Sequence, residues 1–165
     1  MPEKQTAEGL LARMRRNWPE AVTPTSEAMI RVYRLGDLVQ DNACRALTRQ
    51  NLTFSEFEVL AALRSADPPH ELSPTALYGA ILVSSGGLTK ILRGLEGRGL
   101  VARTLHAADR RSRLVRLTEP GRAVAERAMA DVLASDTALL SQGCSADEMK
   151  ALAALLRRLL AAVEA

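Results

Sequence analysis

Ser84-Ser85-Gly86-Gly87-Leu88-Thr89-Lys90-Ile91-Leu92-Arg93, followed past Gly99 by Val101-Ala102-Arg103-Thr104-Leu105, is the stretch on which the reading of this chain turns. It opens on small residues, where a backbone can approach another molecule closely. Lys90 and Arg93, three apart near the start of a helix, share one face of it. Gly94 and Gly97 loosen the end of that helix by packing and termination, and Gly99 suits a left-handed cap. Beyond the cap the period shortens to two. Val101, Arg103 and Leu105 alternate with Ala102 and Thr104, and Val115 and Leu117 alternate with Leu114 and Arg116. The polar run Ala108-Asp109-Arg110-Arg111-Ser112 lies between them, so the segment reads as a two-stranded hairpin with a charged tip.

Upstream, Thr53-x-x-Glu56 has the form of a capping box that opens a helix from Ser55 to Arg64. Ser73-Pro74 places a cap residue before a proline at the first helical position, opening a second helix from Pro74 to Leu82. Asp67-Pro68-Pro69-His70 reads as the loop between them. With the third helix, about Gly86 to Arg98, the order is helix, helix, turn, helix, hairpin. That is a helix-turn-helix followed by a wing, a motif whose last helix can enter the major groove of DNA. Groove or phosphate contacts are expected from Ser84, Ser85, Thr89, Lys90 and Arg93.

The flanks are helical too. A polar helix from Glu3 to Arg16 precedes Trp18. The region from Ser26 to Gln50 is apolar on more than one face and so is expected to be buried on several sides. Thr118-Glu119-Pro120 and Ser145-x-x-Glu148 are further helix openings. Leu152, Leu155, Leu156, Leu159, Leu160 and Val163 then form a stripe that wants a partner. The expected fold is mainly α, a winged helix-turn-helix with a small β-hairpin wing and terminal helices that form a dimerisation region. Residues 1–50 and 122–165 would dimerise, and 51–121 would bind DNA.

Composition agrees with this reading. The chain has 165 residues, enough for a core without staples, and only 3% aromatic residues. Its net charge of +3 is unevenly spread: Ser84 to Arg122 holds nine basic and three acidic side chains, a net +6 that leaves −3 elsewhere. Such asymmetry is the footprint of a polyanion on one segment. No apolar stretch reaches the roughly 20 residues of a membrane span, and the N-terminus lacks the apolar middle of a secretory signal, so a cytoplasmic protein is expected. Cys44 and Cys144 stand far apart without a zinc-like spacing and read as two buried free thiols, with a redox role left open. His70 and His106 lie in separate loops, so no metal or other cofactor is expected. Ser84-Ser85-Gly86-Gly87 lacks the ending of a nucleotide-phosphate loop. No nucleophile-base pair stands out, so an enzyme is not expected.

Leu88-Thr89-Lys90, Leu95-Glu96-x-Arg98-Gly99-Leu100-Val101-x-Arg103, Asp109-Arg110-Arg111 and Leu117-Thr118-x-x-Gly121 together resemble the MarR family of bacterial regulators, in register from about Leu52 to Gly121. The resemblance implies a homodimer with intertwined terminal helices and two winged domains reading a palindromic operator in double-stranded DNA. It implies a transcriptional repressor released by a small ligand. It makes Arg111 the wing arginine of the minor groove, with Asp109 orienting the neighbouring arginines, and Arg110 and Arg113 are further expected DNA contacts. Arg13 to Trp18 is similar to the urate-responsive members, whose pocket maps onto Trp18, Glu58, Ile91 and Arg103. Ile91 stands where those members carry an arginine, so urate itself is not implied. Trp18 and Tyr33 offer stacking surfaces and Arg103 a bidentate donor, which together would suit a small aromatic anion. The alternative is a winged-helix module for protein-protein or RNA contact without operator binding.

Overall fold

The computed structural model describes residues 5–81, 87–105 and 113–164, apart from the side chains at 105 and 113. The chain forms two compact units, Met1–Asn42 and Ala43–Ala165.

The first unit holds α1 (Ala7–Asn17) and most of α2 (Pro24–Leu47). Thr6 caps α1, its hydroxyl accepting the Gly9 N–H at 3.0 Å. Helix α2 opens on a reciprocal pair: Thr23 N–H donates to Ser26 Oγ at 2.9 Å and Ser26 N–H to Thr23 Oγ1 at 3.2 Å. Arg31 bridges Glu8 at 2.9 Å and Glu27 at 3.2 Å, and Arg15 also pairs with Glu27. Hydrogen bonds from Arg15 and then Arg31 hold the Glu27 carboxyl below its ordinary range.

The second unit is built on α3 (Phe54–Ser65), α4 (Pro74–Ala80), α5 (Leu88–Gly97), α6 (Glu119–Leu140) and α7 (Ala146–Val163). All four helix openings expected from the sequence are present. Glu56 N–H donates to Thr53 Oγ1 at 3.2 Å while Thr53 N–H donates to Glu56 Oε2 at 2.8 Å, and Ser145 and Glu148 repeat the exchange. Ser73 Oγ accepts the Ala76 N–H, and Thr118 Oγ1 accepts that of Gly121. Inward-facing Val59, Leu60, Leu63, Leu77, Leu95 and Val115 are fully buried, with Ala125, Ala128 and Val132 of α6 closing the same core.

Three strands, β1 (Glu71–Leu72), β2 (Val101–Leu105) and β3 (Arg113–Leu117), form an antiparallel sheet in the order β1-β3-β2. The hairpin is as expected, with Val101 opposite Leu117 and Arg103 opposite Val115. Strand β1 is an addition to it. Its two residues are too few to show a period, and it exists because Leu72 pairs with Val115 and the Leu117 N–H donates to His70 O at 3.0 Å.

Two expectations are corrected. Cys44 is exposed and Cys144 only half-buried, because Cys44 points away from the face on which its neighbours Ala43, Ala46 and Leu47 are buried. Met29, Val32, Leu35 and Leu38 of α2 are likewise exposed in the single chain, which does not bury this helix on several sides.

Candidate functional site

Helix α5 divides cleanly. Leu92 and Leu95 are buried and Leu88 and Ile91 pack against the same core, whereas Thr89, Lys90 and Arg93 are exposed. The apolar residues recur at helical spacing, so the three polar ones are left together on the outer face. Neither Lys90 nor Arg93 forms an ion pair with another described residue. The basic residues that follow are tied inward. Arg98 Nη1 donates to Glu56 Oε1 at 3.3 Å, joining the end of α5 to the start of α3. Arg103, on the sheet face shared with Val101 and Val115, donates from Nε to Glu96 Oε2 at 3.1 Å.

The frame that carries this helix depends on close backbone packing. Gly99 adopts φ +68°, the left-handed cap expected for it. Thr118 Oγ1 lies 2.7 Å from Gly99 O and 3.0 Å from Leu100 O while it caps α6. A Cβ on Gly121 would stand 1.9 Å from Leu100 O, so no other residue fits there. Gly97 ends α5, the termination expected of it, and has open space rather than packing around its Cα. Of the other residues expected to meet DNA, Ser84, Ser85, Asp109, Arg110 and Arg111 lie outside the described residues. Arg113 begins β3, its side chain outside that description.

The residues expected to hold a ligand are dispersed over both units. Trp18 and Tyr33 belong to the first, where they are 64% and 69% exposed. Glu58 lies in the second and lines an open cavity of about 530 Å³ with Phe54, Phe57, Ala61, Ala62 and Leu72. Arg103 is not among its walls. The sequence reading missed Phe54, Phe57 and the alanines because a cavity is signalled only by short side chains whose neighbours are distant in sequence. It also missed Arg116 and Arg122, which share a second hollow of about 460 Å³ with His70 at the root of the wing.

Comparison with known proteins places this geometry. A sequence model of the MarR family matches residues 50–112. The chain is 30% identical over 125 residues to the HTH-type transcriptional regulator PecS of Dickeya dadantii, an alignment spanning 76% of this chain and 75% of that protein. It is 34% identical over 111 residues to an HTH-type transcriptional repressor of Mycobacterium tuberculosis, spanning 67% of this chain and 78% of the other. Among solved structures, a MarR family protein of Mycobacterium tuberculosis in complex with p-aminosalicylic acid superposes with a TM-score of 0.64 at 31% identity, over 78% of this chain and 94% of that one. With the capped helices, the three-stranded wing and the outward Thr89, Lys90 and Arg93 in place, the chain belongs to the MarR family of winged helix-turn-helix transcriptional regulators.

Proposed function

We propose that this regulator binds a palindromic operator in duplex DNA as a homodimer and acts as a repressor that a small ligand releases. The observation that carries the reading is the outer face of α5, where Thr89, Lys90 and Arg93 stand exposed on a helix whose other side is locked into the core. Such a face suits the major groove, and Ser84 and Ser85 are assigned to the same DNA contact. Asp109, Arg110, Arg111 and Arg113 would bring the wing to the flanking minor groove.

Residues 51–121 are assigned to DNA and 1–50 and 122–165 to dimerisation. Two apolar strips support that division: Met29, Val32, Leu35 and Leu38 on α2, and Leu155, Leu156, Leu159, Leu160 and Val163 on α7, all exposed. Strips of this kind mark contact with another chain. Ligand contacts are assigned to Trp18 and Tyr33 in the first unit and to Glu58 and Arg103 in the second, and the p-aminosalicylic acid bound to the mycobacterial relative supports a small aromatic ligand.

A salt-titrated binding assay tests the reading, comparing duplex DNA with single-stranded RNA on protein whose mass is followed by sedimentation. Duplex preference from a dimer is expected. Preference for single strands, or a monomer at micromolar concentration, would sink it. Half-sites should lie about 10 base pairs apart, and inserting about five between them should abolish tight binding by turning one half-site to the far side of the duplex.

A further inference from the structure

The cavity between α3, α4 and β1 is chemically one-sided. Phe54 and Phe57 line it with rings whose centroids lie 6.5 Å apart at 55°. Ala61, Ala62, Ala66 and Ala80 keep the remaining wall short, which is why room of about 530 Å³ is left, within the range of small-molecule sites. Among the described residues, Glu58 is the only ionisable group in that wall. The guanidinium groups on neighbouring elements are engaged elsewhere: Arg64 with Glu126 at 2.9 Å, Arg98 with Glu56 at 3.3 Å and Arg103 with Glu96 at 3.1 Å.

A carboxylate ligand would meet a like charge here and would have to take Arg103 from Glu96. An ammonium on an apolar body meets the opposite conditions. Glu58 offers it a charge-assisted hydrogen bond, and the phenyl faces attract cations. Glu58 also interacts within the protein, so the ammonium would share its carboxylate.

We propose that this cavity takes a hydrophobic organic amine, protonated at nitrogen, with its body against Phe54 and Phe57 and its ammonium at Glu58. The assignment rests on the reading of the chain as a ligand-responsive regulator and adds the charge of the ligand.

Titration calorimetry on the full chain tests it with three probes of one shape: tryptamine, uncharged tryptophol and indole-3-propionate. Tryptamine should bind at least about tenfold more tightly than the propionate, and Glu58→Gln should weaken tryptamine about tenfold while leaving tryptophol unchanged. Ala62→Leu and Ala66→Leu, each filling the cavity, should abolish binding of all three probes while retaining duplex DNA binding, which reports that they fold. Propionate binding as tightly as tryptamine, or indifference of tryptamine to Glu58→Gln, would overturn the charge assignment. Absence of binding by all three probes, or binding that survives both filled variants, would overturn the cavity as the site. Loss of duplex binding in the wild-type chain would instead remove the regulator reading, a separate measurement.

Discussion

Glu56 serves Thr53 and Arg98 with one carboxylate, its Oε2 accepting the Thr53 N–H at 2.8 Å and its Oε1 accepting from Arg98 at 3.3 Å. The residue that completes the capping box of α3 therefore also fastens the end of α5. The Arg98 and Glu56 side chains are 34% and 16% exposed, so the pair is screened and should contribute at most about 1 kcal/mol, whereas the cap is worth about 1 kcal/mol by itself. Glu56→Ala should lower stability by about 1–2 kcal/mol and Arg98→Ala by less than about 1 kcal/mol. Chemical denaturation checks this, and equal losses would mean that the cap contributes nothing.

Glycines near α5 should respond in opposite directions. Gly121→Ala forces a methyl into the Leu100 carbonyl and should cost at least about 1–3 kcal/mol, the range of overpacked sites. Gly97→Ala meets open space in a helix and should stabilise by up to about 1 kcal/mol. Thermal unfolding of the two variants decides, and a stable Gly121→Ala protein would refute the close approach of α6 to Leu100.

Helix and wing should contribute separably to DNA binding. Replacing Arg93 with Ala removes a potential base contact worth roughly 1–3 kcal/mol of discrimination, so sequence preference should relax as affinity falls. Arg111→Ala should weaken binding at most sites alike and lower the salt slope by about one unit per phosphate charge released. Selection from a random duplex pool at two salt concentrations reads both effects. An Arg111→Ala protein that binds as tightly as the parent at moderate salt would remove the wing from the interface.

Acid should weaken the fold through particular carboxylates. Glu126 is held below its ordinary value of 4.5 by hydrogen bonds from Arg122 and then Arg64, and Glu148 by the Ser145 amide and then its hydroxyl. A depressed folded-state pKa stabilises above the unfolded value, and that contribution is lost as pH falls from about 4.5 through the folded pKa. The difference in stability between the parent and Glu126→Gln should thus be present at pH 7 and smaller at about pH 3. Denaturant melts at the two values test it; a difference that persists undiminished in acid would assign the effect to packing.

What the sequence disclosed was local. Thr53, Ser73, Thr118 and Ser145 each find a partner within three residues, so their spacing alone announced the four helix openings. The three-residue spacing of Lys90 and Arg93 likewise put them on one face of α5, and the burial of Leu92 and Leu95 shows that face to be the outer one. Strand β1 was hidden because Leu72 is extended only through its pairing with Val115. The partner of Arg103 was hidden too, since folding α5 back against β2 is what brings Glu96 to it. Cys44 was misjudged from the habits of its residue type, when the orientation of α2 decided its exposure.

The clamp of Thr118 and Gly121 on Gly99 and Leu100 makes α6 a lever with its fulcrum at the base of the wing. Helix α6 has 22 residues and is therefore about 33 Å long. A rotation of about 5° at Thr118 would carry the Leu140 end sideways by about 3 Å, from the length set by helical rise. Small angular changes around α5 thus emerge as large displacements at the far end of the longest helix that lies wholly in this unit, and displacements imposed there return as fine adjustments of angle.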